Sequence, residues 1–170
     1  MKKLPLISAI CLMTMVGIAA DSLKQSVFQL RLVSEKPSSL TEEVVLSRNN
    51  SEQKLQVQKD CLLDSSAIKT AEAVWNKTET TKRDASGGLE LSTNVTTRVN
   101  IELTDAGAKK MEEITTQHHG QRIAIFVDSK IWSAPYIEVP ITNGHFQISG
   151  SYSWPEAEAM VEKIRASIPK

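Results

Sequence analysis

The residues with the most chemical capacity are three histidines, His118, His119 and His145. Neighbouring side chains on a helix diverge by about 100°, so His118 and His119 do not readily share one ion. No cysteine or carboxylate stands around them at zinc-ligand spacing. His118-His119-Gly120 reads instead as the polar end of a helix, where the carbonyl dipole favours a cation. Asp105, Glu112 and Glu113 are helix-surface carboxylates with no partner across a cleft to act as acid and base. Ser133, ahead of Ala134-Pro135, lacks the strand–turn–helix setting of an exposed nucleophile. Gly87-Gly88 has no Lys-Ser/Thr sequel and is not a phosphate cradle. The expectation is therefore no catalytic residue, no metal and no cofactor.

The aromatic residues offer a different chemistry. Trp132, Tyr136 and Trp154 lie in or beside the stretch from Gln121 to Gly150. One reading packs them between sheet and helix. The other makes Trp132, Ser133, Pro135, Tyr136 and Trp154 a shallow contact surface for extended polypeptide, with an edge strand open to β-augmentation. Pro135 and Pro140 could equally be there to block such an edge.

Composition narrows the partners. The 170 residues carry 20 Lys plus Arg against 20 Asp plus Glu. Met1 to Ala20 has Lys2 and Lys3, then an apolar run to Ile18 and small residues, which reads as a signal peptide cleaved after Ala19 or Ala20. A retained anchor is the alternative, and no other stretch is apolar enough to cross a bilayer. Without Lys2 and Lys3 the balance is 18 against 20, about −2, which argues against a nucleic-acid partner. With Cys11 in the leader, Cys61 stands alone; it is expected as a buried thiol acting as a small hydrophobe.

These residues need elements to hold them. Ser26 to Val33 alternates as a strand, and 43–48 with 54–59 reads as a solvent-facing hairpin about Asn49-Asn50-Ser51. Asp64-Ser65-Ser66 caps a short helix through Lys69, and 70–75 is read as a strand. Residues 77–96 are polar, a hairpin tip or loop open to proteolysis. Val99, Ile101 and Leu103 mark a half-buried strand. Thr104 then caps a helix from Asp105 to about His118, stopped at Gly120, with Ala108, Met111, Ile114 and Thr115 on its inner face. Ile123 to Val127 is apolar on both faces, and Asp128-Ser129 turns it into Lys130 to Trp132. Residues 136–139 form an edge strand or bulged crossing, and Asn143-Gly144 signals a second hairpin within the same small sheet. Ser153-Trp154-Pro155-Glu156 opens the last helix, with Ala157, Met160, Val161, Ile164 and Ile168 on one stripe. Strands with helices segregated to one face make an α+β fold.

The run Asn100-Ile-Glu-Leu-Thr-Asp-Ala-Gly-Ala108, then Ile123-Ala-Ile-Phe-Val-Asp128, Ser133-Ala-Pro135, Pro140-Ile141, Gln147-Ile-Ser-Gly150 and Glu156-Ala157, resembles the first periplasmic domain of SecD. The resemblance is strong over 97–168 and weaker over 26–75. Together with the leader, it divides the chain into four parts: a signal peptide over 1–20, a β-rich base-like part over 21–76, the polar tip over 77–96, and a head-like domain over 97–170. It also implies an exported, non-catalytic binding module of the periplasm or cell envelope that meets exported or unfolded polypeptide. The alternatives are a docking domain for an envelope protein complex and, third, an envelope enzyme. Two departures stand out. Asp128-Ser129 replaces the family's usual Asp-Gly. The membrane helices that couple SecD to a proton gradient are also absent from this sequence, so translocation driven by this chain alone is not expected.

Overall fold

β7 (Ile123–Val127) is buried along its whole length, and the architecture follows from that. The computed structural model describes residues 26–48, 51–83, 88–150 and 152–170, so the leader expected over 1–20 and its cleavage site lie outside the described residues. β7 pairs on one side with β1 (Phe28–Ser34) and on the other with β8 (Lys130–Ser133), both antiparallel. β1 continues to the hairpin of β2 (Thr41–Arg48) and β3 (Ser51–Gln58), giving the order β2-β3-β1-β7-β8, with the two-residue β4 (Leu63–Asp64) also on β1. Because side chains alternate across a strand, Ile123, Ile125 and Val127 join one core, and Ala124 and Phe126 join another.

The second core corrects one expectation. The β2–β3 hairpin does not face solvent on both sides. It curls over the sheet and buries Leu46, Leu55 and Val57 against Ala124, Phe126 and Ile131. The apolar positions at 44, 46, 55 and 57 fall on one face because Val44 is registered with Leu55 and Glu42 with Val57.

A second antiparallel sheet has the order β5-β6-β9. β5 (Ile68–Arg83) and β6 (Leu89–Leu103) form one long hairpin, laddered from Ile68↔Leu103 out to Arg83↔Leu89. β9 (His145–Ser149) pairs with the body end of β6, Val99↔Ile148 and Ile101↔Phe146. The expectation of a single sheet over 121–150 is thereby corrected. Asn143-Gly144 does not join two paired strands, although Gly144 does adopt φ +68°. Pro135 and Pro140 have no N–H of their own and bound 136–139 on both sides, which keeps that crossing short, and the free side of β6 takes β9 instead.

Two helices close the main core. α1 (Asp105–Gln117) is capped by Thr104, whose Oγ1 accepts from Gly107 N at 3.1 Å. α2 (Trp154–Ser167) opens with Glu156 Oε2 accepting from both Ser153 N and Ser153 Oγ at 2.8 Å. Met111 and Ile114 of α1, and Met160 and Ile164 of α2, pack with Phe28 and Ile101. The fold is α+β.

Two smaller expectations also change. The short helix expected through Lys69 is one 3-10 turn, Ser65–Ala67, because pairing of Ile68 with Leu103 starts β5 at once. Asp64 caps it, its Oδ1 accepting from Ser66 N at 2.9 Å, and Ser65 is buried. The Ser65 Oγ accepts from Phe28 N at 3.0 Å and bonds Ser26 and Ser167 hydroxyls at 2.8 and 2.9 Å, tying strand, turn and C-terminal helix together. Cys61 is exposed, not buried; Leu63 takes the inward place, and the Cys61 thiol donates to its carbonyl at 3.3 Å. Although the residue is exposed, desolvation of its sulfur by the neighbouring chain, and then the Asp64 carboxylate, push that thiol above its ordinary pKa, which leaves less of it as reactive thiolate.

Candidate functional site

After β8 the chain does not leave the sheet at once. A bulge between Ile125 and Phe126 shifts the register, and 134–137 then runs back beside 120–123. Ile123 N donates to Pro135 O at 3.0 Å, Ile137 N to Gln121 O at 2.8 Å, and Gly120 N to Ile137 O at 2.8 Å. Arg122 and Tyr136 form an isolated bridge between them. Farther on, Ile141 N donates to the buried Thr115 Oγ1 at 3.0 Å, which ties the segment to α1. That hydroxyl has the backbone acceptor it needs as well, Met111 O at 2.7 Å.

The tie leaves an apolar groove of about 230 Å³ between α1 and the crossing segment. Met111, Ile123, Pro135, Tyr136, Val139 and Ile141 line it. Tyr136 and Val139 stand at its mouth, 64% and 68% exposed. The Arg122 guanidinium lies 5.6 Å from the Tyr136 ring centroid and donates from Nε to Ala134 O at 2.9 Å, steadying both. Ser133 and Pro135 also border a more polar pocket of about 290 Å³ with Gln53, Arg122, Gln147 and Ser149.

Of the five residues singled out in the sequence, Pro135 and Tyr136 share the groove, and Ser133 lines the adjoining pocket. The two tryptophans have other ring partners. Trp132 is partly buried, edge-on to Tyr152 at 5.8 Å, with Lys130 Nζ 4.1 Å above it. Trp154 stacks on Trp75 at 4.8 Å. Met111 and Ile141 were legible as apolar but not as groove walls, since only the tie through Thr115 places them together. Trp75, 61% exposed on an otherwise polar strand end, supplies the ring partner of Trp154 and lines neither the groove nor the adjoining pocket. His118 ends α1, His119 Nε2 meets Glu138 O at 2.8 Å, and His145 sits on β9. Among the described residues no three His, Cys, Asp or Glu converge on a metal position.

Tyr152 locks the turn from β9 into α2 by donating its hydroxyl to Ile148 O. Burial pushes its pKa up from 10.0 to about 12. The unfolded chain gives up that proton near pH 10 while the folded chain keeps it, so stability is full below pH 10 and falls as pH rises towards 12. Denaturant midpoints measured across that window are expected to decline, and Tyr152→Phe is expected to flatten the decline. An equal slope in the variant would contradict the assignment.

The sequence and fold have counterparts among known proteins. Residues 42–168 match the family model described as SecDF, P1 head subdomain, which spans most of both sheets and both helices. The chain belongs to the SecDF P1 head family. Within it, SecD of Acidaminococcus fermentans, a protein translocase subunit, is 39% identical over 72 residues, 42% of this chain and 17% of the relative. The protein translocase subunit SecDF of Thermus thermophilus is 40% identical over 73 residues, 42% of this chain and 10% of that one. A solved structure of SecDF, described as a membrane component that enhances protein export, superposes with a TM-score of 0.56 at 25% identity over 85% of this chain and 64% of its own. This head-type chain thus spans a small part of the length of the curated relatives. Among the described residues no helix is long and apolar enough to cross a membrane. The family match begins at Glu42, earlier than the stretch where the motif resemblance is strong, so the β2–β3 hairpin falls within it.

Proposed function

We propose that this SecDF P1 head-type domain works in protein export as a non-catalytic module that holds an extended, apolar polypeptide segment in the groove between α1 and residues 135–141. The proposed location is the periplasm or the cell envelope. The observation that carries the reading is the groove itself: apolar walls, one charged lining residue in Glu138, and Tyr136 and Val139 exposed at its mouth. Groove walls of this kind accept alternating apolar side chains without demanding a sequence, which suits a client that is not yet folded. Membership of a family whose relatives are named protein translocase subunits supports it.

The test is binding of a fluorescently labelled, reduced and unfolded exported protein, followed by anisotropy. Val139→Asp and Tyr136→Asp place a charge in the apolar mouth and are expected to weaken binding roughly tenfold or more. Protection from hydrogen exchange is expected over 135–141. Absence of binding, or binding by both variants as tight as the parent's, would overturn the reading. A single stoichiometric envelope partner recovered by cross-linking, without binding of unfolded chains, would favour the docking-domain alternative.

A further inference from the structure

The outer edge of β5 is the longest uninterrupted pairing edge among the described strands; β2, at the edge of the other sheet, has eight residues. β8 is interrupted by a bulge and followed by Pro135, and β9 has five residues. β5 has 16 residues, no proline, and an unbroken register from Thr70 to Arg83. Edges are normally blunted by such interruptions, and beyond Thr70 β5 has none.

The direction of its backbone groups is set by one contact. Ala71 O accepts from Arg165 Nε at 2.7 Å, on the side of β5 away from β6. By strand alternation, Ala73, Trp75, Lys77, Glu79 and Thr81 also turn their N–H and C=O groups outward. Beyond Ala73 these groups line the free edge of the long hairpin. The charges along it alternate in sign. Lys77 Nζ and Glu79 Oε1 meet at 2.6 Å within the chain, with side chains 60% and 50% exposed.

That pattern is complementary to itself in one register. If two β5 edges meet antiparallel about a two-fold axis through Thr78, Lys77 faces the partner's Glu79 and Glu79 faces the partner's Lys77. Trp75 then faces the partner's Thr81, an aromatic–Thr cross-strand pair. Axes through Lys77 or Glu79 would instead put like charges opposite each other. We propose that two copies of this chain associate through the outer edges of β5, antiparallel about Thr78, joining their three-stranded sheets into one continuous sheet.

The register makes the test specific. In a Cys11→Ser, Cys61→Ser background, Thr78→Cys brings two Cα atoms to about 4.5 Å in a non-hydrogen-bonded pair, within disulfide reach. Thr80→Cys leaves them about 13 Å apart, beyond it. Sedimentation of the full chain over a concentration series is expected to show a dimer that oxidation locks through position 78 and not through position 80. Glu79→Lys puts like charges in both cross-strand pairs and is expected to raise the dimer dissociation constant roughly tenfold. Lys77→Glu with Glu79→Lys restores complementarity and the dimer. A monomer at every concentration, equal cross-linking at 78 and 80, or a dimer indifferent to Glu79→Lys would overturn the proposal.

Discussion

Gly107→Ala is expected to destabilise the protein by about 2 kcal/mol, against the sign that helix propensity alone assigns. Alanine is the better helix former by up to about 1 kcal/mol, so a helical glycine ordinarily gains from this change. Here a Cβ at 107 would lie 2.4 Å from Ala67 O and 2.9 Å from Ala67 Cβ. Neither neighbour is the end of a flexible side chain. Ala67 O already accepts from Thr104 N at 2.9 Å, the residue that caps α1. The turn carrying Ala67 is anchored through Ser65 to Ser26, Phe28 and Ser167. Relief therefore requires α1 to move off the turn, at the expense of its cap and the packing of Met111 and Ile114. Thermal unfolding would show a drop of several degrees for a domain of this size. Ala106→Gly, at an exposed site one residue away, is the matched control and is expected to cost up to about 1 kcal/mol. A Gly107→Ala protein as stable as the parent would mean that α1 does not seat on Ala67 as described.

The same contact shows what can be read from a linear sequence and what cannot. Thr104 before an apolar helical stripe, and Ser153 three residues before Glu156, are local signals, and both helices begin where those signals place them. The turn at Asp128-Ser129 is local too: both residues take positive φ, 52° and 63°, as a two-residue primed turn demands, although serine is a poor occupant. Burial of both faces of β7 was likewise visible as apolar residues at successive positions. The partner of β9 was not visible, because Val99 and Ile148 are far apart in the chain and alternation says only that a strand seeks some edge. The candidate site divides in the same way. Pro135 and Tyr136 follow each other and share the groove. Trp132 and Trp154 find Tyr152 and Trp75, and for Trp154 that choice is made by long-range packing of α2 on β5.

Arg31 is the sharpest case of a residue whose role local pattern hides, and its removal carries the other large expected effect. In a strand it alternates with Leu30 and Leu32 and would ordinarily face water, yet it is 4% exposed. Paired with Ala124 in the ladder, it points at the second core. Its Nη2 meets Glu42 Oε1 at 2.7 Å, its Nε donates to Gln58 O at 2.6 Å, and its Cζ sits 4.9 Å from the Phe126 ring centroid. One side chain thus fastens both strands of the curled hairpin to β1 and β7. Arg31→Ala removes the fork, leaves the Gln58 carbonyl short of a donor and opens a cavity over Phe126; a loss of about 3 kcal/mol is expected. Arg31→Lys should recover only part of this, since an ammonium cannot reach both acceptors in the plane of the fork. Glu42 side chain is 45% exposed and can return to water, so Glu42→Gln alone should cost no more than about 1 kcal/mol. The decisive measurement is hydrogen exchange in the β2–β3 hairpin. If Arg31 is the fastener, Arg31→Ala accelerates exchange at Val44–Leu46 and Leu55–Val57 well beyond the change in the β5–β6–β9 sheet. Uniform acceleration across both sheets would mean the two cores unfold as one and the arginine merely contributes to the total.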